Sequence, residues 1–252
     1  MAPPPMKTGL GLWYYLWMQP IEWIAKIKGQ ATLEEMLVTR HRCIDQLLNE
    51  RLNSPEDYQV VELAAGLSSR GLRTMQADTT KNTLYLEGDL DGIIKHKTTI
   101  FQANQWNRSN HHLMVCDLLA PNSYQPLKDK LSVTKKTIVI AEGILSYFDT
   151  VTVAFILREC FQLIKHTSGG CFICDAHFSE EVSGVRGSSL FQKIQSNFVK
   201  SPMLLPWQNE QQARLMLSQA GFTKAEIFQA HQILDSARQQ DGIVRIVQAQ
   251  CG

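Results

Sequence analysis

The sequence has no excess of charge of either sign: 25 lysines and arginines stand against 24 aspartates and glutamates, for a formal charge of +1. Nor does it hold a long basic run that could track a phosphate backbone, so nucleic acid is not an expected partner. Cysteine is scarce, six in 252 residues, and no cleavable signal segment is recognisable, which argues against a disulfide-stapled secreted scaffold and for a reducing cytoplasm. No stretch reaches the roughly 20 apolar residues that span a bilayer. The nearest, Leu10 to Ile27, carries Trp13, Tyr14, Tyr15, Trp17 and Trp23 but is broken by Gln19, Pro20, Glu22 and Lys26. It is expected to pack as a helix over a pocket, with contact to a membrane surface as the alternative. Internal repeats and low-complexity tracts are absent as well. What remains is the composition of a folded chain, 44% hydrophobic and 19% charged, of a length that suits one domain spanning residues 1–252.

Two textures divide the chain at about residue 55. Before it, Thr32-Leu-Glu-Glu matches a capping box, and Leu33, Met36, Leu37, Ile44, Leu47 and Leu48 recur at helical spacing to about Leu52. Beyond Gln59, short apolar runs alternate with helical segments, the pattern of β/α units. The candidate strands are Val60–Ala64, Thr83–Glu87, His112–Asp117, Thr137–Glu142 and Gly170–Asp175, with crossover helices near 67–77, 90–104, 149–166 and 210–220 and a shorter one near 124–131. Residues 178–207, with Pro202 and Pro206, read as a helical lid insertion. Two final strands, Lys224–Gln229 and Ile243–Ala249, have no helix between them and predict an antiparallel hairpin. The expected fold is therefore α/β, a doubly wound, mostly parallel, seven-stranded sheet with a C-terminal hairpin and N-terminal helices.

Four of the five parallel runs finish on an acidic residue: Glu87, Asp117, Glu142 and Asp175. Parallel strands present their carboxyl ends on one edge, so these carboxylates are expected on one ligand-binding rim. Cys171 and Cys174 form a C-x-x-C, but residues three apart on a strand face opposite sides, so a structural role is expected of both. The first strand runs into Val60-Val-Glu-Leu-Ala-Ala-Gly-Leu-Ser-Ser-Arg-Gly-Leu, whose small residues allow close approach to backbone amides beside a helix N-terminus. Ala64 and Ser68 stand where a fuller glycine pattern would have glycine.

Three further segments carry a family resemblance: Thr39-Arg-His-Arg-Cys-Ile-Asp, Tyr85-Leu-Glu-Gly-Asp-Leu-Asp-Gly-Ile-Ile-Lys-His-Lys and Ile140-Ala-Glu-Gly-Ile-Leu-Ser-Tyr-Phe. With the turn after the first strand, they resemble the leucine carboxyl methyltransferase family, which also contains O-methyltransferases of polyketide biosynthesis, over about residues 39–249. The resemblance implies a class I fold and S-adenosylmethionine as cofactor. It implies that Arg40 pairs with the cofactor's methionyl carboxylate, with Arg42 as the local alternative. Glu62, Ala64 and Gly66 would line the turn, and Asp89 would hold the ribose hydroxyls, with Glu87 as the competing carboxylate. Asp117 and Leu118 would contact adenine, and Glu142 the sulfonium end or the amino group.

Tyr147 and His177 are candidates on the acceptor side. An ordinary core role competes for Tyr147, and a surface position is expected for His177 because nothing in the sequence fixes a partner for it. His111-His112 lacks an accompanying ligand set, so no metal site is expected. A sulfonium methyl is already activated, so alignment and water exclusion are the expected catalytic means. The expected acceptor is a carboxylate or hydroxyl, on a small molecule or at a protein C-terminus; a carboxylate needs no general base, and the lack of an evident base leans that way. A cofactor-binding pseudo-enzyme and a nicotinamide-dependent oxidoreductase are the rivals. The second is disfavoured by the broken glycine fingerprint at Ala64 and by the terminal hairpin.

Overall fold

The computed structural model describes residues 33–77, 83–184, 203–235 and 244–251. Thr32, the N-terminal aromatic segment and much of the expected lid lie outside the described residues. In chain order the elements are α1 (Leu33–Leu52), β1 (Tyr58–Leu63), α2 (Arg70–Ala77), β2 (Tyr85–Asp89), α3 (Asp91–Ala103), β3 (His111–Val115), α4 (Gln125–Lys130) and β4 (Lys136–Ala141). They continue with α5 (Thr150–Lys165), β5 (Gly170–His177), α6 (Ser179–Gly184), α7 (Glu210–Ala220), β6 (Lys224–Gln229) and β7 (Val244–Cys251). Short 3-10 turns follow β4 at Leu145–Tyr147 and β6 at Ala230–Gln232.

The sheet has seven strands in the order β3-β2-β1-β4-β5-β7-β6. Strands β1 to β5 pair in parallel, and β7 runs antiparallel between β5 and β6. The chain winds outward from β1 to β3, then returns to β4 on the other side of β1. That reversal opens a crevice at the carboxyl ends of β1 and β4, the usual ligand position in doubly wound sheets.

Central strands are apolar on both faces because helices cover both. Every residue of β1 is buried. Val61, Leu63, Val139, Ala141, Phe172 and Cys174 pack on the side of α5 and α7, whereas Val60, Ile138, Ile140, Cys171 and Ile173 pack on the side of α1. Cys171 and Cys174 thus lie in different halves of the core. Local chemistry sets the helix ends: Asp149 caps α5 by accepting the Thr152 N–H at 2.7 Å, and Asn209 caps α7 through the Gln212 N–H at 3.1 Å. Helix α7 stops at Gly221, which takes a left-handed φ of 116°.

Two sequence expectations change. Strand β2 runs to Asp89 rather than stopping at Glu87, so Glu87 lies inside the sheet, fully buried. Strand β5 continues through Asp175 to His177, and His177 is buried rather than at the surface, because α1 and the turn after β4 pack over it. Of the expected lid, α6 and residues 203–207 are described; Phe178 and Trp207 form a parallel bridge that draws its two ends together. Among the described residues no helix is long and apolar enough to cross a membrane.

Candidate functional site

The turn between β1 and α2 begins with Ala64 at φ 50° and continues through Gly66 at φ 52°. A left-handed backbone costs an alanine roughly 1–2 kcal/mol, and bulkier side chains more. Ala64→Gly is therefore expected to be neutral or to stabilise by up to about 1 kcal/mol, and Ala64→Val to destabilise by about 2 kcal/mol. Thermal denaturation of the pair measures both. At Gly66 an added Cβ would meet nothing within 4 Å, so the turn forms an open cradle at the end of β1. Asp89, at the end of the adjacent β2, accepts the Gly66 N–H at 2.6 Å through one oxygen and the Leu90 N–H at 2.7 Å through the other. Each oxygen keeps a further lone pair.

Behind the cradle stands a buried ion pair. Lys97 of α3 donates to Glu87 and, at 2.7 Å, to the carbonyl of Ser68 in the turn, while His111 Nε2 lies 2.8 Å from Glu87. Gly71 brings α2 so close that a Cβ there would sit 2.3 Å from a Glu87 oxygen. Glu87 thus anchors the turn from inside, and Asp89 faces the crevice. After β3, Asp117 accepts the Leu119 N–H at 2.9 Å and its own N–H donates to Ser123 Oγ at 2.7 Å; Leu118 is buried beside it.

Across the crevice, α1 supplies Arg40. Its guanidinium donates to Glu142 at 3.0 Å and to Asp175 at 3.3 Å. Arg42, two positions on, is exposed, so of the two candidates Arg40 is the one that faces the rim. Burial works against the charge on Arg40, but Asp175 and Glu142 hold its pKa above the ordinary value. Gly143 lies against this guanidinium, and its N–H donates to Asp175 at 2.6 Å.

Arg70, 1% exposed, joins Asp45, Glu62 and Glu142. Glu62 has both oxygens engaged, one by Arg70 and one by the Tyr85 hydroxyl, each at 2.6 Å. This arrangement makes Glu62 an internal support of the turn. Burial raises its pKa, with Arg70 opposing.

Burial disfavours the charge on Glu142 too, but the hydrogen bond with His41 and the guanidinium groups of Arg70 and Arg40 outweigh it and hold its pKa below the usual range. A carboxylate depressed in the folded state contributes stability above its unfolded pKa of about 4.3 and loses it as pH falls through the lower folded value. Glu142→Gln is expected to cost about 2 kcal/mol at neutral pH. The gap to wild type should close between about pH 5 and pH 2 in chemical denaturation measured across that range.

Sequence reasoning missed Arg70, Tyr85, Lys97 and Ser146. All four fall inside the motifs already singled out, and that was the available signal. Tyr147, in the 3-10 turn, is half-buried. Ser146 Oγ lies 3.1 Å from His177 Nδ1. Among the described residues, no group of three or more histidine, cysteine, aspartate or glutamate side chains is arranged to hold a metal ion.

A family model described as leucine carboxyl methyltransferase matches residues 13–161. No curated protein matches the chain significantly. Among solved structures, a putative O-methyltransferase from Nostoc punctiforme is 14% identical with a TM-score of 0.56, over 90% of this chain and 66% of its own. Magnesium protoporphyrin IX methyltransferase from Synechocystis, with bound S-adenosylhomocysteine, is 15% identical with a TM-score of 0.55, over 88% and 89%. Human N-acetylserotonin methyltransferase in complex with S-adenosylmethionine is 11% identical with a TM-score of 0.53, over 94% of this chain and 55% of its own. At these identities the likeness is one of fold: a seven-stranded class I methyltransferase sheet. The chain spans less than two thirds of the first and third of these structures.

Proposed function

The chain belongs to the leucine carboxyl methyltransferase family, whose cofactor is S-adenosylmethionine, and on that premise we propose that it transfers a methyl group to an oxygen atom. The acceptor would be a small molecule, polyketide-like compounds included, or a protein C-terminal carboxylate. The observation that carries this reading is the open cradle at Gly66 beside Asp89, because a bound nucleoside needs both a backbone free of side chains and a carboxylate at the neighbouring strand end.

The donor set fits the cofactor piece by piece. Asp89 has free lone pairs for a pair of ribose hydroxyls, and Asp117 with Leu118 offers an acceptor and an apolar surface for adenine. Arg40 suits a carboxylate and Glu142 an ammonium group. When bound, the cofactor supplies a methyl group activated on sulfonium. The chain's own part is to fix that group's direction, bring an oxygen into line with it and keep water out.

Calorimetric titration with S-adenosylmethionine and S-adenosylhomocysteine tests the reading. Saturable binding by the wild type, weakened at least tenfold in Arg40→Ala, is the expected result. A folded wild type that binds neither compound would sink it.

A further inference from the structure

His177 has the surroundings of a proton acceptor. It ends β5 on the same face as Asp175, 5% exposed. Its Nδ1 lies 3.1 Å from Ser146 Oγ and 3.9 Å from Asp175 Oδ2. Nε2 has no hydrogen-bond partner among the described residues. Asp175 is itself fixed, one oxygen by the Gly143 N–H and the other by Arg40. A carboxylate near Nδ1 favours the tautomer in which Nδ1 carries the proton and donates to Ser146, which leaves the Nε2 lone pair uncommitted. The histidine stands at the carboxyl end of β5, on the crevice side of the sheet and across Arg40 from Glu142.

The geometry points to His177 as the general base of the proposed transfer, held by Ser146 and Asp175, and to an acceptor that is a hydroxyl of phenolic or enolic acidity. The inference rests on the methyl-transfer reading. The acceptor's O–H proton passes to Nε2 as its oxygen bonds to the methyl carbon. The carbon–sulfur bond breaks with its electron pair left on sulfur, and His177 then releases the proton to solvent. A carboxylate acceptor would arrive already ionised, with no proton for Nε2 to take. Phenols, with a pKa of about 10, are far stronger acids than aliphatic alcohols, so theirs is the proton an imidazole takes most readily.

The charged groups packed around the ring are Asp175 on its own strand and Arg40 from α1, with Glu142 beyond Arg40. Tyr147 neighbours Ser146 in the turn. On β7 the residue opposite is Val244, and Arg245, paired with Ala176, points to the other face towards Glu181. Burial lowers the His177 pKa, with Asp175 opposing and Arg40 adding to the lowering, which favours the neutral ring over the imidazolium.

The test begins with S-adenosylhomocysteine binding by calorimetry in wild type, His177→Asn and Ser146→Ala. Similar affinities in all three are expected; no binding by the wild type overturns the methyl-transfer reading and this inference together. On the protein saturated with S-adenosylhomocysteine, 2-naphthol should bind at least tenfold more tightly than 2-naphthoate, and His177→Asn should abolish the preference. Equal or reversed affinities, or binding of neither probe, overturn the hydroxyl assignment. Transfer of labelled methyl to 2-naphthol should fall by about 100-fold or more in His177→Asn at pH 7. That deficit should narrow towards pH 10, where the naphthol ionises unaided, whereas a deficit constant across pH overturns the base role.

Discussion

Arg70→Met is expected to lower the free energy of unfolding by about 3–5 kcal/mol, the largest effect of any single substitution proposed for this chain. Arg70 is 1% exposed and divides its guanidinium among Asp45, Glu62 and Glu142. Removing it leaves the Glu62 carboxylate inside the protein with the Tyr85 hydroxyl as its remaining donor in the network. Desolvation of an uncompensated charge, rather than loss of a contact, dominates the cost. Arg70→Lys should recover only part, because an ammonium cannot reproduce a planar fork that reaches three carboxylates.

Adding Glu62→Gln to Arg70→Met should restore about 1–2 kcal/mol by removing the stranded charge, a non-additivity that a double-mutant cycle in urea would expose. Additive effects would mean that Glu62 and Arg70 do not act as a pair. The double variant also keeps the question answerable should Arg70→Met alone fold poorly.

Asp89→Asn should weaken S-adenosylhomocysteine binding about 100-fold while changing stability by less than about 1 kcal/mol. The affinity loss corresponds to about 2.7 kcal/mol, the scale of one or two hydrogen bonds to a charged group. Stability is spared because Asp89 sits half-buried at the strand end, and an asparagine oxygen can still accept the Gly66 N–H.

Glu87→Gln, two residues earlier, should show the opposite pattern. It leaves Lys97 facing an uncharged amide in a site where Glu87 has no exposure, so about 3 kcal/mol of stability is lost, and the cofactor affinity of the folded fraction stays within a few fold. Calorimetry and chemical denaturation on the two variants separate the roles. Were Glu87 the residue that lost affinity, the ribose contact would have to be reassigned to it.

Much of the architecture was legible because it is written in short-range chemistry. The apolar runs of β1, β4 and β5 follow from burial on both sheet faces, and Asn209 and Gly221 bound α7 by capping preferences that depend on their immediate neighbours. The small-residue turn was legible too, although the strain at Ala64 is visible only in its backbone angle. The roles of the acidic residues were less accessible. Glu87 and Asp89 share a strand face and a charge, and whether β2 ends at one or the other moves a carboxylate from the core to the crevice. Period-two patterning does not resolve a boundary that fine.

The chain order of strands and helices, the antiparallel pair at the end and the candidate cofactor turn were determined by the sequence itself, since each depends on residues within a few positions of one another. The tertiary structure decided which charges meet. Arg40 and Arg42 are equivalent to any local reading, yet Arg40 alone of the two reaches Glu142 and Asp175, which lie 102 and 135 residues further on. His177 has Asp175 beside it on its own strand, but its hydrogen-bond partner is Ser146, 31 residues earlier in the turn after β4. A side chain's burial and ionisation answer to the field of everything packed around it, and that field exists only once distant segments have come together.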